Sequence, residues 1–137
     1  DKMAFIDWSD ELSVQVAEID QQHQKLVAML NELHDAMREK KAKDALGRII
    51  KGLVDYAGTH FATEEKYFDQ YGYPGAATQR REHKEFVAKV SEFKQGFDEG
   101  RLMLSMDVMD FLENWLVTHI QGSDKKYGPF FNEKGLR

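Results

Sequence analysis

Apolar residues recur at intervals of three and four along four long stretches of the chain, the spacing of one face of an α-helix. Leu26, Val27, Leu30, Leu33 and Met37 mark the first, and with Asp20 as N-cap they predict a helix over about 20–40. Leu46, Ile49, Ile50, Leu53, Ala57, Phe61 and Phe68 predict a second over about 44–71, broken by Gly72-Tyr73-Pro74-Gly75. Phe86, Val90, Phe93 and Phe97 run through a third over about 76–97, which Gly96 and Gly100 close. Val108, Phe111, Leu112, Trp115, Leu116 and Ile120 run through a fourth over about 104–121, ending at Gly122. Four amphipathic helices with short connections read as an all-α, up-down-up-down four-helix bundle. Residues 4–19 lack this period. Leu12, Val14 and Val16 alternate there with polar residues, as in an extended arm lying on a surface. The expected organisation is one domain over 1–137, with an N-terminal arm (1–19), the bundle (20–121) and a C-terminal tail (122–137). Trp8 is expected to pin the arm and Tyr127 to pack the tail.

Composition narrows the function. Two prolines in 137 residues favour uninterrupted helices. A net charge of −5 argues against non-specific nucleic-acid binding, which needs a basic face. The run Arg38-Glu39-Lys40-Lys41-Ala42-Lys43 reads as a solvated helix end. The absence of cysteine excludes disulfides, thiolate-held clusters and thiol catalysis, and is compatible with a reducing cytoplasm, the expected location. No run of about 18 apolar residues offers membrane contact and no signal-like segment is present, so the chain as given is expected to be soluble. The start at Asp1-Lys2-Met3 reads as the edge of an excised domain.

The candidate chemistry lies in the histidines. Four of the five, His23, His60, His83 and His119, continue the apolar stripes of the four helices. His60 and Glu64 are four residues apart and share a face, as do Gln79 and His83. His23 is early in the first helix, His60 late in the second, His83 early in the third and His119 late in the fourth. Up-down connectivity puts all of them near one end of the bundle. Asp124 lies five residues past His119, where a continuing α-helix would aim it about 140° away; Gly122 is expected to let the chain leave the helix and fold back. An isolated histidine on an apolar stripe is ordinarily hydrogen-bonded to a backbone carbonyl, and His34 is read that way. Four imidazoles and a carboxylate at one level would leave several buried polar groups without partners unless they hold a metal. Imidazole and carboxylate donors suit iron, zinc, copper, nickel or manganese. Six donors, two of them carboxylates able to bridge, exceed one tetrahedral ion and argue for two. No histidine has Glu three residues before it, so the ferritin-like pattern fits poorly, and His-Glu-x-x-His is absent.

Asp20-Gln-Gln-His23, His60-Phe-Ala-Thr-Glu64-Glu, Tyr73-Pro74 leading to Glu82-His83, and His119-Ile-Gln-Gly-Ser-Asp124 together resemble the hemerythrin family, and within it the bacteriohemerythrins. The likeness extends over nearly the whole chain. It implies two iron ions, oxo- or hydroxo-bridged, that bind O2 reversibly or take another small diatomic or peroxide ligand. It further implies that His23 and His60 hold the iron with the open position, that His83 and His119 hold the other, and that Glu64 and Asp124 bridge them. Trp115, Leu116 and Ile120 are the candidate residues that keep the O2 pocket dry. The departure is Gln79, where the family pattern has a histidine. A glutamine amide oxygen is a weaker, more flexible donor, which loosens one coordination position. Oxygen sensing, carriage or storage is the implied role, with a fused chemotaxis-type signalling domain as partner. A di-iron peroxidase or oxidase exploiting the loosened position is the alternative. A bis-histidine haem bundle and a metal-free interaction bundle are further rivals.

Overall fold

A computed structural model of the chain describes residues 6–101 and 104–137. The start at Asp1 and the first arm residues Ala4 and Phe5 lie outside the described residues. Helix α1 spans Ala17–Arg38, α2 Ala42–Tyr71, α3 Ala76–Asp98 and α4 Leu104–Asn114. From α4 the chain passes through a π-helical segment, Trp115–Asp124, directly into α5, Lys125–Glu133. No strand occurs among the described residues. The architecture is the expected four-helix bundle with an N-terminal arm, α4 packing against both α1 and α3 to close it.

Helix boundaries follow local chemistry. Gly72 ends α2 in the left-handed region at φ +66°, its N–H returning to the Phe68 carbonyl, a conformation glycine adopts without Cβ strain. The start of α1 differs from expectation, since the helix begins at Ala17 with Val16 before it. Asp20 is recruited elsewhere: its carboxylate accepts from Ser13 Oγ at 2.6 Å and from the Val14 N–H at 2.8 Å, tying the arm to the first helical turn. The larger correction lies at Gly122, where the chain does not leave the helix. Widening to i→i+5 turns carries it through that position, and the expected tail is mostly helix α5.

Two apolar clusters form the interior. The larger holds Leu26, Leu30, Ile49, Leu53, Phe86, Phe93, Val108 and Leu112 along the bundle axis. The smaller holds Val14, Val16, Ile19, Phe68, Tyr127 and Phe131 at one end. Trp8 is half-buried against the larger cluster, where Leu12 also inserts, so the arm stitches both together. Asn31 holds the Ile6 backbone through both its amide atoms at 2.8 Å, and Asn132 Nδ2 donates to the Gln15 carbonyl at 3.0 Å.

The arm crosses α5 at Gly128. A Cβ there would lie 2.6 Å from the Val14 carbonyl oxygen and 3.3 Å from its carbon, both backbone atoms. Gly128→Ala should therefore destabilise the protein by about 1–3 kcal/mol through overpacking. Urea unfolding checks this; an unchanged midpoint would mean that the arm does not clamp α5 in solution.

Candidate metal centre

Each helix delivers its polar groups at the boundary between the two apolar clusters. On α1, His23 falls between Ile19 of the small cluster and Leu26 of the large one. On α2, His60 and Glu64 fall between Ala57 and Phe68; on α3, Gln79 and His83 fall between Ala76 and Phe86. His119 and Asp124 fall between Leu116 and Tyr127. The result is a polar layer sealed on both sides, and His23, Glu64 and Asp124 are fully buried. The π-helical segment is what brings Asp124 in. Its i→i+5 pattern carries residue 124 back over residue 119, so Asp124 Oδ1 lies 2.9 Å from His119 Nε2.

Donor atoms converge from all four helices. His23 Nε2 is 3.0 Å from His60 Nε2 and 3.1 Å from Asp124 Oδ2. Glu64 Oε1 is 3.0 Å from His60 Nε2 and 3.2 Å from His83 Nε2. Several of these approaches lack hydrogen-bond alignment: Glu64 Oε1, His83 Nε2, His119 Nε2 and Asp124 Oδ2 have no hydrogen-bond partner. Atoms that crowd to about 3 Å without bonding one another are aimed at shared points between them. His23, His60, Glu64 and Asp124 offer one set of donors within 4.8 Å of one another, and Glu64, His83 and His119 offer a second. Glu64 belongs to both.

The outer nitrogens explain the aim of three imidazoles. The Nδ1 of His83 faces Glu65 Oε2 at 2.9 Å, and that of His119 faces Glu82 Oε1 at 3.0 Å. A carboxylate only accepts, so Nδ1 carries a proton, and Nε2 is the nitrogen that, once deprotonated, presents its lone pair inward. The Nδ1 of His60 faces the Gln22 amide oxygen at 2.6 Å with the same result. The pattern is cross-wired: Gln22 beside His23 steadies His60, Glu65 beside Glu64 steadies His83, and Glu82 beside His83 steadies His119. A neighbour in sequence turns about 100° away and so reaches the next helix. Aromatic rings cover three of the imidazoles. Phe61 stacks on His83 and Trp115 on His119, both at 3.9 Å, and Tyr56 stacks on His60 at 4.8 Å.

Charge is balanced within the layer. Burial pushes the Glu64 carboxyl up, but the imidazoles of His60 and His83 prevail and hold it well below the usual range. Burial and Glu64 likewise raise Asp124, and His119 and His23 outweigh them. Burial alone would lower His119, yet Asp124 and Glu64 lift it to about 9. His83 is raised despite burial by Glu64 and Glu65, whereas burial wins at His60 and lowers it. Both carboxylates are therefore ionised donors. The nitrogen and oxygen atoms, the orphaned lone pairs and the shared carboxylate fit a pair of cations.

A protein-family model, the hemerythrin HHE cation binding domain, matches residues 14–131. The chain belongs to the hemerythrin family. It is 38% identical to a bacteriohemerythrin of Stenotrophomonas maltophilia over 125 residues, which cover 91% of this chain and 80% of that protein. With a bacteriohemerythrin of Methylococcus capsulatus it is 32% identical over 93% of this chain and 97% of that one. A crystal structure of wild-type hemerythrin superposes with a TM-score of 0.81 at 31% identity, covering 92% of this chain and 97% of that one. As a hemerythrin it is a non-haem iron protein that binds O2, and its cofactor is di-iron. No helix among the described residues is long and apolar enough to cross a membrane.

The structure places all six expected donors in the layer. Gln79 is there too, 2% exposed, its Nε2 donating to Asp124 Oδ1 at 3.0 Å and its Oε1 without a partner. Trp115, Leu116 and Ile120 are buried beside His119 in the large cluster. His34 stands apart and half-buried, its Nδ1 3.9 Å from Asp35. The sequence pattern gave no role to Gln22, Glu65 and Glu82, which read as ordinary polar neighbours of donors. Nor did it anticipate Tyr127, whose hydroxyl is fully buried and donates to Glu64 Oε2. Two further buried donors, the Tyr56 hydroxyl and Trp115 Nε1, have no partner.

Tyr127→Phe keeps the ring and removes the hydrogen bond, leaving a buried carboxylate oxygen unsatisfied. In metal-stripped protein this should cost about 1.5–3 kcal/mol, the range for a hydrogen bond to a charged group. Denaturant titration measures it; stability equal to that of the parent would show that Glu64 does not depend on Tyr127.

Proposed function

We propose that this chain uses its iron pair to bind O2 reversibly for sensing, carriage or storage. His23 and His60 would hold one ion, His83 and His119 the other, and Glu64 and Asp124 would bridge them beside an oxo or hydroxo group. The observation that carries this reading is the pair of donor sets sharing Glu64 inside a buried layer. When bound, the ions supply the electrons that an O2-binding site shares with its ligand. The protein's part is to orient and exclude: Gln22, Glu65 and Glu82 fix the imidazoles, and Trp115, Leu116 and Ile120 keep water away from the bound gas. The cytoplasm is the compartment we assign.

A sensing role with a fused, chemotaxis-type signalling domain has a physical basis in α5. Tyr127 touches Glu64, and the next residue, Gly128, lies against Val14 of the arm. A shift of Glu64 on ligand binding would therefore reach the N-terminal arm at Val14 through two neighbouring residues. Iron content with visible spectra through anaerobic reduction, exposure to air and renewed deoxygenation tests the proposal. About two irons per chain and a band that appears and bleaches reversibly are expected; an air-exposed form that never returns on deoxygenation would contradict reversible binding.

Gln79 supports a second reading, a peroxidase or oxidase activity. Its amide donates to Asp124 instead of adding an imidazole, so the His83–His119 ion would be held by the Gln79 amide oxygen after reorientation, by water, or with a position open. That loosens the centre toward irreversible oxidation or peroxide turnover. Gln79→His should lengthen the life of the oxygenated form, followed as decay of its visible band in air. Equal lifetimes would show that position 79 does not govern autoxidation.

A further inference from the structure

A cleft of about 260 Å³ runs between α1 and α2, bordered by Lys25, Met29, Gly52, Asp55 and Thr59 and reaching Gln22, Tyr56 and His60 at its inner end. Its volume is several times the roughly 30 Å³ that a water occupies in the liquid. Its depth matters more than its size. His60 is 1% exposed and belongs to the four-donor half of the cluster, and the cleft reaches it. Its walls are neutral in balance, since exposed Lys25 faces exposed Asp55 across the same opening.

Tyr56 gives the cleft a chemical end. Its ring lies over His60 at 4.8 Å with 20° between planes, and also contacts Phe61 and Phe86. The residue is 6% exposed, and its hydroxyl is a buried donor with no partner. A buried hydroxyl without a bond costs stability, and such an orphan in a native interior calls for an explanation. Tyr127 solves the same problem by bonding Glu64; Tyr56 does not.

We propose that Tyr56, at the inner end of the α1–α2 cleft, is the specificity-determining residue of the His23–His60 half of the centre, its hydroxyl donating a hydrogen bond to the terminal acceptor atom of a small anionic ligand held there. The inference rests on the reading that His23, His60, Glu64 and Asp124 hold an ion. That ion supplies the positive charge and Tyr56 the directional contact. The site distinguishes ligands by polarity: an anion with a lone pair at its outer end gains the bond, whereas a ligand without one leaves the hydroxyl unpaired. Gln22 also lines the inner end, its amide oxygen accepting from His60 Nδ1 at 2.6 Å and its Nε2 donating to Thr63 Oγ1 at 3.2 Å.

Azide is the probe. The oxidised, iron-loaded protein and its Tyr56→Phe variant are matched for iron per chain, and azide affinity and the azide stretching frequency are measured in H2O and D2O. The variant keeps the stacked ring and loses only the donor. Azide should bind it about ten- to a hundredfold more weakly, the loss of one hydrogen bond to a charged group. The solvent-isotope shift of the azide stretch should vanish with it. Gly52→Leu gives an independent arm: even its Cβ starts 2.8 Å from Met29 Sδ, so the side chain fills the cleft and should slow azide association. Equal affinity and an equal isotope shift in Tyr56→Phe overturn the proposal, as does an iron-loaded parent that binds no azide. A chain that holds no iron removes the underlying reading of the centre as well, so the two failures are told apart by iron content.

Discussion

The structure is organised by one requirement: a layer of ionised carboxylates and imidazoles has to exist in an interior that excludes water. Apolar clusters lie on either side of it, and every helix changes from apolar to polar and back within about two turns. Burying an isolated carboxylate is prohibitive, and burying two side by side is worse. Glu64 and Asp124 are tolerable because imidazoles approach each within about 3 Å. That compensation is incomplete while several lone pairs aim at points between the side chains. A pair of cations at those points converts the costliest feature of the fold into its strongest contacts.

The supporting groups show how the layer holds its shape. Because a residue adjacent to a donor points toward the next helix, each donor segment also steadies its neighbour's imidazole. Gln22, Glu65 and Glu82 bind the helices to one another through the site itself. Glu65 is in turn held by Arg80 at 3.3 Å, and Glu82 accepts from Ser123 at 2.8 Å, so the network ends in surface groups that solvent can stabilise. Centre and bundle are therefore one cooperative object, and a change at one imidazole is felt on two helices.

Much of this was legible in the sequence. The apolar stripes locate four helices, the i, i+4 relation pairs His60 with Glu64, and alternating direction puts His23, His60, His83 and His119 at one level. What escaped has physical reasons. The π-helical segment leaves no mark on the apolar stripe, and the five-residue interval from His119 to Asp124, its one trace, looks wrong for an α-helix. The extra helix α5 follows from the same error, because a chain thought to stop at Gly122 has no helix to continue. Asp20 resembles an N-cap in sequence, yet its carboxylate serves Ser13 and Val14. Tyr127 looked like packing for a tail; it does pack there, and it also bonds Glu64.

Side chains from four helices offer two donor sets that share Glu64, each placed to hold one iron ion. Diffraction from iron-loaded crystals, recorded on both sides of the iron absorption edge, tests this most directly. Two anomalous peaks are expected in the polar layer, one beside His23 and His60 and one beside His83 and His119, with Glu64 between them. A single peak, or iron bound only at the surface, would contradict it.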